Sequence, residues 1–221
     1  KSAKYVPIVN RVHEADDSLR TMQLARIEKF GPDSSVIRSG DKDLWFSEGL
    51  HMDNQGRFYS GDGYGEVGYR EVGNVKPKLI GRGTSWFWHQ LLMGDTADNI
   101  PGLPQISGRL ANQYLPTKTH NPKRKALPCG EAKAVAILKD VTNDAEACTR
   151  VYRAYDEHYG ILLAEEMFVE QAFLLWIRRT SDLNDVLYFL HDCGSFVAFT
   201  SKQKERLNAF VAKAKEIKDA R

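Results

Sequence analysis

The order of apolar segments at the start of the chain constrains its fold more than any other feature. Residues 5–9 form a short apolar run typical of a buried strand, and residues 35–38 form a second one. Between them, apolar residues recur at helical spacing over residues 16–30, and Gly31 and Pro32 then end the pattern. This strand, helix, strand order predicts the α/β class, with a mostly parallel sheet and flanking helices.

The pattern becomes helical in the second half of the chain. Residues 105–128 are rich in proline and in basic residues, which predicts a loop. We therefore expect an α/β part over residues 1–103 and a helical part over residues 104–221. Residues 49–83 are rich in glycine, which predicts a segment outside the core that contains a hairpin around residues 53–56. Helices are predicted from Thr84 or Ser85 to Gly94, and at residues 131–139, 145–159, 162–178 and about 202–218.

Composition excludes several classes of protein. The 31 lysines and arginines nearly balance the 29 acidic residues, and a net charge of +2 gives no bulk attraction to nucleic acid or membrane. No apolar run approaches the roughly 18 residues of a membrane-spanning helix. The three cysteines lie far apart, which argues against a disulfide framework. We expect a cytoplasmic, monomeric protein with no membrane partner.

Three acidic groups each follow a predicted strand or apolar helix, at residues 14–17, 41–43 and 95–98. Ligands bind at the carboxyl edge of α/β sheets, and carboxylates gathered there repel one another unless cations lie between them. Because hard divalent cations prefer oxygen ligands, the pattern predicts a Mg²⁺ or Mn²⁺ site. Each group alone is also typical of a helix cap or a solvated turn, but the three together favour a metal site. The candidate metal ligands are Glu14, Asp16, Asp17, Asp41, Asp43, Asp95 and Asp98.

The motifs around these groups resemble the successive acidic motifs of the 5′-nuclease family. They read EADD at residues 14–17, SGDKDL at residues 39–44 and LMGDTADNIPG at residues 92–102. The family includes flap endonucleases, bacteriophage 5′ to 3′ exonucleases and the 5′-nuclease domain of bacterial DNA polymerase I. The resemblance implies that two divalent ions hydrolyse DNA phosphodiesters at 5′ ends, flaps or nicks. It also implies that Asp16, Asp17, Asp41 and Asp43 are catalytic.

In that family the third motif is followed by a helix-hairpin-helix element that binds the duplex backbone and a K⁺ ion. Residues 100–104 resemble its start and residues 129–134 its second half, so residues 105–128 are an insertion that interrupts the element. The insertion is basic and suits sequence-independent phosphate binding, although a solvated loop is the alternative. The candidate DNA-binding residues are Gly102, Arg109, Lys118, Lys123, Arg124, Lys125, Gly130 and Lys133.

The family's first metal-binding aspartate and its basic helical arch would precede Lys1, so the resemblance implies that the chain is a fragment of a nuclease. The insertion and the compact helical tail are closer to phage enzymes than to cellular ones. We therefore expect a role in phage DNA replication or repair, in the bacterial host cell and alongside a DNA polymerase. Two alternatives stay open, a non-catalytic DNA-junction-binding remnant and an RNA-cleaving metallonuclease.

Overall fold

The computed structural model describes most of the chain between residues 14 and 193 and four residues beyond it. The described residues are 14–72, 75–105, 127–160, 163–182, 184–193, 205, 208–209 and 212. The strand predicted at residues 5–9 lies outside them, as does most of the helix predicted at residues 202–218.

The first part of the chain contains both strands and helices, and helices dominate the second. The first part contains α1 (Ala15–Phe30), β1 (Val36–Arg38), a 3-10 helix (Asp43–Phe46), β2 (Leu50–Met52), β3 (Phe58–Ser60), β4 (Glu66–Val72), β5 (Val75–Arg82) and α2 (Thr84–Met93). The second part contains β6 (Pro104–Gln105), β7 (Leu127–Pro128), α3 (Glu131–Ile137), α4 (Asp144–Tyr159), α5 (Ala164–Leu175) and α6 (Asp185–Asp192). This order confirms the α/β class. The sequence pattern had not predicted α6 or the pair β4 and β5.

The strands form small mixed and antiparallel sheets. β1 pairs with β2 in parallel, and β2 pairs with β3 in antiparallel through the hairpin predicted at residues 53–56. Asp53 stabilises that turn by accepting hydrogen bonds from the amides of Gln55 and Arg57. The pairs β4 with β5 and β6 with β7 are both antiparallel. The mostly parallel sheet is therefore not found in the described part of the chain, where one strand pairing is parallel.

Helix α2 lies at the centre of the apolar core. Trp86, Phe87 and Trp88 are all at most 2% exposed, since neighbours cover the helix on every side. The ring of Phe87 lies 4.9 Å from that of Trp176, in the segment after α5. The ring of Trp86 lies against Gly81 of β5, where a Cβ atom would come within 2.2 Å of it. The main apolar core thus runs from the α/β part into the helices.

Helix α1 shows the opposite pattern. Leu19, Met22 and Phe30, whose spacing predicted the helix, are 41%, 46% and 60% exposed. The buried side chains of α1 are the polar ones of Arg20 and Gln23. Hydrogen bonds rather than apolar packing therefore hold this helix against the described part of the chain, including one from Gln23 to the Leu50 carbonyl oxygen.

Candidate metal centre

The loop between α2 and β6 carries two of the candidate ligands, Asp95 and Asp98. Asp95 and Ile100 exchange backbone hydrogen bonds of 2.8 and 2.7 Å, which close the loop into a tight turn. Gly94 and Gly102 both have positive φ, and a Cβ atom on either would lie within 2.3 Å of a backbone atom. Only glycine fits this close approach, so the spacing of the third motif sets the shape of the loop.

Three aspartates from two elements converge beside this loop. Asp43 begins the 3-10 helix, while Asp95 and Asp98 belong to the loop itself. Each offers one carboxylate oxygen, and these oxygens lie within 4.8 Å of one another. Asp95 is 3% exposed, Asp43 is half-buried and Asp98 is exposed, so the cluster opens to solvent on one side. This arrangement of oxygens could hold a metal ion.

Lys42 adds a positive charge to the cluster. Its Nζ donates to Oδ2 of Asp95 and lies 3.7 Å from Oδ1 of Asp43. Burial alone would raise the pKa of Asp95, but hydrogen bonds from Lys42 and from the Ala97 amide lower it. Burial raises the pKa of Asp43 to about 6, with Asp95 acting in the same direction and Lys42 against it. The cluster is therefore only partly neutralised by its own lysine.

Gln90 of α2 connects the core to the cluster. Its side chain is 1% exposed, and its Nε2 donates to Oδ1 of Asp43 at 2.6 Å. Its Oε1 is buried and accepts no hydrogen bond from the described residues. Leaving a buried carbonyl oxygen unpaired is costly, so this oxygen indicates that a further donor or cation belongs at the site.

A cavity of about 60 Å³ joins the cluster to the start of α1. Glu14 and Asp16 line the α1 side of this cavity. The pKa of Asp16 is raised, first by burial and then by the neighbouring charges of Asp41 and Glu14. Carboxylates with raised pKa values are typical of sites that bind a cation. The cavity brings together six of the seven predicted ligands, namely Glu14, Asp16, Asp17, Asp43, Asp95 and Asp98.

Asp17 and Asp41 make contacts that the sequence did not predict. Both carboxylate oxygens of Asp17 accept hydrogen bonds from Arg178, from its backbone amide and its guanidinium. Asp41 is exposed and accepts a hydrogen bond from the Asp43 amide, which orders the turn before the 3-10 helix. Asp17 thus lines the cavity with its oxygens already engaged, and Asp41 lies beside the cavity without lining it.

The candidate DNA-binding residues are placed only in part. Arg109, Lys118, Lys123, Arg124 and Lys125 lie outside the described residues. Gly102 is buried, and its amide donates to Oε1 of Gln171 at 2.9 Å, so it does not point to solvent. Gly130 and Lys133 are exposed at the start of α3.

The two segments assigned to a helix-hairpin-helix element are neighbours in space. β6 pairs with β7, and the Cys129 amide donates to the Leu103 carbonyl oxygen at 2.7 Å. The insertion therefore leaves and re-enters the fold at adjacent positions. The described residues do not confirm the element itself, and its K⁺ site stays a prediction.

Three residues of the site were missed by the sequence analysis, namely Lys42, Gln90 and Arg178. Lys42 stands between two aspartates of the second motif, a signal that could have been used. Gln90 lies in a helix that the sequence predicted, but its contact with Asp43 was not foreseen, and Arg178 is 161 residues away from its partner Asp17. Neither of these two contacts leaves a trace in local spacing.

Comparison with known protein families, curated proteins and solved structures finds no match to this chain. Among the described residues, no helix has the length and apolar character needed to cross a membrane.

Proposed function

We propose that this chain is a divalent-metal-dependent 5′-nuclease that hydrolyses DNA phosphodiesters at 5′ ends, flaps or nicks. The observation that carries the proposal is the gathering of six predicted ligands on one cavity, which Gln90 also lines. An acidic cluster alone is common on protein surfaces. The buried Oε1 of Gln90, which accepts no hydrogen bond from the described residues, adds support for a cation at this position.

In this proposal Asp43, Asp95 and Asp98 hold one Mg²⁺ or Mn²⁺ ion, and Glu14 and Asp16 contribute to a second one across the cavity. Bound ions supply an activated water and stabilise the charge of the phosphodiester during cleavage. Gln90 orients Asp43 through its Nε2 donation. Lys42 neutralises Asp95 while no ion is bound.

We assign Asp17 and Asp41 positioning roles within the same proposal. Asp17 holds Arg178 and with it the segment of Trp176 and Ile177, which lines the cavity. Asp41 orders the turn that presents Asp43. Their removal should therefore weaken cation binding less than the removal of Asp95.

The location and partners belong to the same proposal. A nuclease of this kind acts where DNA is replicated or repaired, which is the cytoplasm of a bacterial host if a phage encodes it. A DNA polymerase is the expected partner in that process, and the insertion together with a K⁺ ion would assist in binding the duplex. We expect the active form to be a monomer.

A second candidate function is structure-specific DNA binding without cleavage. It is favoured by one observation, the ion pairs of Lys42 with Asp95 and Asp43, which partly neutralise the cluster without any metal. The two candidates differ in whether divalent cations are needed and whether the DNA backbone is broken.

The deciding experiment measures cleavage of a 5′-labelled flap duplex by the full chain with Mg²⁺, Mn²⁺ or EDTA. We expect products with either metal and none with EDTA. Asp43→Asn should abolish cleavage, whereas the matched control Asp33→Asn, at an exposed turn, should cleave as the parent does. Binding of the same duplex with no cleavage in any metal would leave the second candidate, and equal activity of both variants would remove the metal centre from the proposal.

A further inference from the structure

The antiparallel ribbon of β4 and β5 has two faces of different character. Val67 lies opposite Gly81 and Tyr69 opposite Leu79, and this face packs towards α2 through Val67, Leu79 and the contact of Gly81 with Trp86. Side chains alternate between the two faces of a strand, so the residues between these pairs point outwards.

The outward face is basic. It carries Arg70, Lys76 and Lys78, which are exposed and form no ion pair with any described residue. Arg70 lies directly opposite Lys78, and like charges in such a cross-strand pair destabilise a sheet. At the base of the ribbon, Glu66 lies opposite Arg82 and balances its charge. The fold thus keeps an unfavourable charge pair at its surface, which indicates an anionic partner outside the chain.

The ribbon carries an excess of positive charge. Residues 66–82 contain four basic side chains and two acidic ones, a net charge of +2. Of the two acids, Glu66 faces Arg82, and Glu71 lies at the irregularity where the register between the strands shifts.

The ribbon also contacts the 3-10 helix that begins at Asp43 and the helix that follows the insertion. The Gly83 amide, directly after β5, donates to the carbonyl oxygen of Trp45 at 2.9 Å, and Trp45 belongs to the 3-10 helix that Asp43 begins. On β4, hydrogen bonding with Glu131, the first residue of α3, raises the pKa of the Tyr69 hydroxyl. The end of the ribbon thus contacts the element that carries Asp43.

We propose that the outward face of this ribbon binds the phosphate backbone of duplex DNA beside the strand that is cleaved, without reading its sequence. This inference rests on the proposed nuclease function. From Lys76 to Arg82 the strand covers about 20 Å, and neighbouring residues on the same face of a strand, such as Lys76 and Lys78, lie about 7 Å apart. Each strand of duplex DNA presents a phosphate about every 3.4 Å along the axis, so the face spans several phosphates.

The test compares two variants that remove equal charge from the full chain. The ribbon variant carries Arg70→Ser, Lys76→Ser and Lys78→Ser. The matched control carries Arg26→Ser, Lys29→Ser and Arg153→Ser, three exposed positions elsewhere on the surface. Binding of a fluorescein-labelled 5′-flap duplex is measured by anisotropy in EDTA, from about 0.05 to 0.3 M salt, a range over which phosphate contacts change affinity strongly.

We expect the ribbon variant to bind at least about tenfold more weakly at 0.1 M salt and its logarithmic salt slope to fall in magnitude by about 2 to 3, as for three lost phosphate contacts. The control should stay within about twofold of the parent, since long-range charge is screened at this salt concentration. The thermal midpoint of the ribbon variant should be unchanged or slightly raised, since a like-charge pair is removed.

The outcomes separate this inference from the proposed function. If the parent chain cleaves the flap with Mg²⁺ while the two variants bind DNA equally well or equally poorly, the ribbon face has no specific role and this inference is overturned. If the parent neither binds nor cleaves the flap duplex, the proposed function fails as well. An unchanged salt slope in the ribbon variant also contradicts the phosphate contacts.

Discussion

The two helices that border the candidate metal centre are built in opposite ways. Nine of the ten residues of α2 are buried, and this helix presents Gln90 to the centre from within the apolar core. Helix α1 turns its larger apolar side chains to solvent and is tied down by charged groups, with Arg20 paired to Glu48 at 2.8 Å and Arg178 paired to Asp17.

This difference shows which side of the cavity has its ligands in place before a cation binds. Close-packed cores have little freedom to move, so the ligands beside α2 are held in place before any cation arrives. Charged contacts depend on both partners, so the ligands on α1 depend on residues far along the chain. We therefore expect Asp43, Asp95 and Asp98 to bind a cation first and Glu14 and Asp16 to follow.

The largest expected effect compares a ligand from each side. Asp95→Asn should lower the single-turnover rate of Mg²⁺-dependent cleavage by more than about a thousandfold, since even outer partners of a metal ligand are worth about 10- to 100-fold. Glu14→Gln should cost far less, because Glu14 is exposed just before the start of α1. Equal losses in both variants would contradict the ranking of the two sides.

The second comparison breaks the ion pair that holds α1. Arg20 is fully buried between the rings of Phe46 and Trp176, at 4.9 and 4.8 Å, whereas the Glu48 side chain is 26% exposed. Glu48→Gln leaves a buried guanidinium without its counter-ion and should lower the free energy of unfolding by about 3 kcal/mol. Arg20→Met leaves a carboxylate that water can reach and should cost less.

Urea unfolding of the two single variants and the double variant measures this difference. If the ion pair holds α1 against the core, the double variant should be at least as stable as Glu48→Gln alone. A larger loss for Arg20→Met than for Glu48→Gln would show that the ring contacts of Arg20, and not its charge, hold the helix.

The third prediction sharpens the role of α2. Gln90→Leu removes both the donor to Asp43 and the unpaired oxygen, and it should weaken Mn²⁺ binding by about tenfold, as outer partners of a ligand do. Gln90→Glu keeps an oxygen in the cavity and should bind Mn²⁺ at least as well as the parent. Calorimetric titration with Mn²⁺ measures both, and equal weakening in the two variants would rule out a role for the oxygen.

The smallest effect concerns His89 of α2, which is fully buried and stacks on Trp86 with ring centroids 5.1 Å apart. Burial lowers the pKa of His89 to about 4, from an ordinary value of 6.5. The unfolded chain therefore takes up a proton at a higher pH than the folded one, so the contribution of this residue is complete above pH 6.5 and is lost as the pH falls towards 4. Between pH 7 and 5.5 the loss should be about 1 kcal/mol.

Unfolding at these two pH values tests the assignment. His89→Phe should show a smaller difference between them than the parent, because it has no buried imidazole to protonate. His191→Ala, at a side chain that is 43% exposed, should keep the parent's difference. If His89→Phe keeps it too, the acid sensitivity of the α2 side comes from another group.

Local spacing predicted much of the fold and part of the site. The helix after residue 14, the hairpin at residues 53–56 and the helices predicted at residues 131–139, 145–159 and 162–178 follow from periodicity and turn residues, and the structure contains all of them. The pairing of β4 with β5 was missed because a glycine-rich stretch with few apolar residues does not show strand alternation. The mostly parallel sheet was expected from a strand that lies outside the described residues.

The candidate ligands were predicted from motif spacing, and their surroundings were not. Asp43 and Asp95 converge as expected, but the position of the Lys42 side chain between them depends on its conformation. The engagement of Asp17 by Arg178 needs a contact across almost the whole chain. Such contacts are decided by tertiary packing, on which the order of residues near Asp17 carries no information.

The short ladder of β6 and β7 brings the two ends of the insertion together. Because Gln105 lies opposite Leu127, the segment of residues 106–126 begins and ends at neighbouring points. A longer or shorter segment would leave the distance between these two points unchanged. The entropy of closing a loop rises only slowly with its length. Residues 106–126 are therefore a place where this protein can gain or lose segments in evolution, or accept a tag, while Asp95 and Asp98 keep their positions.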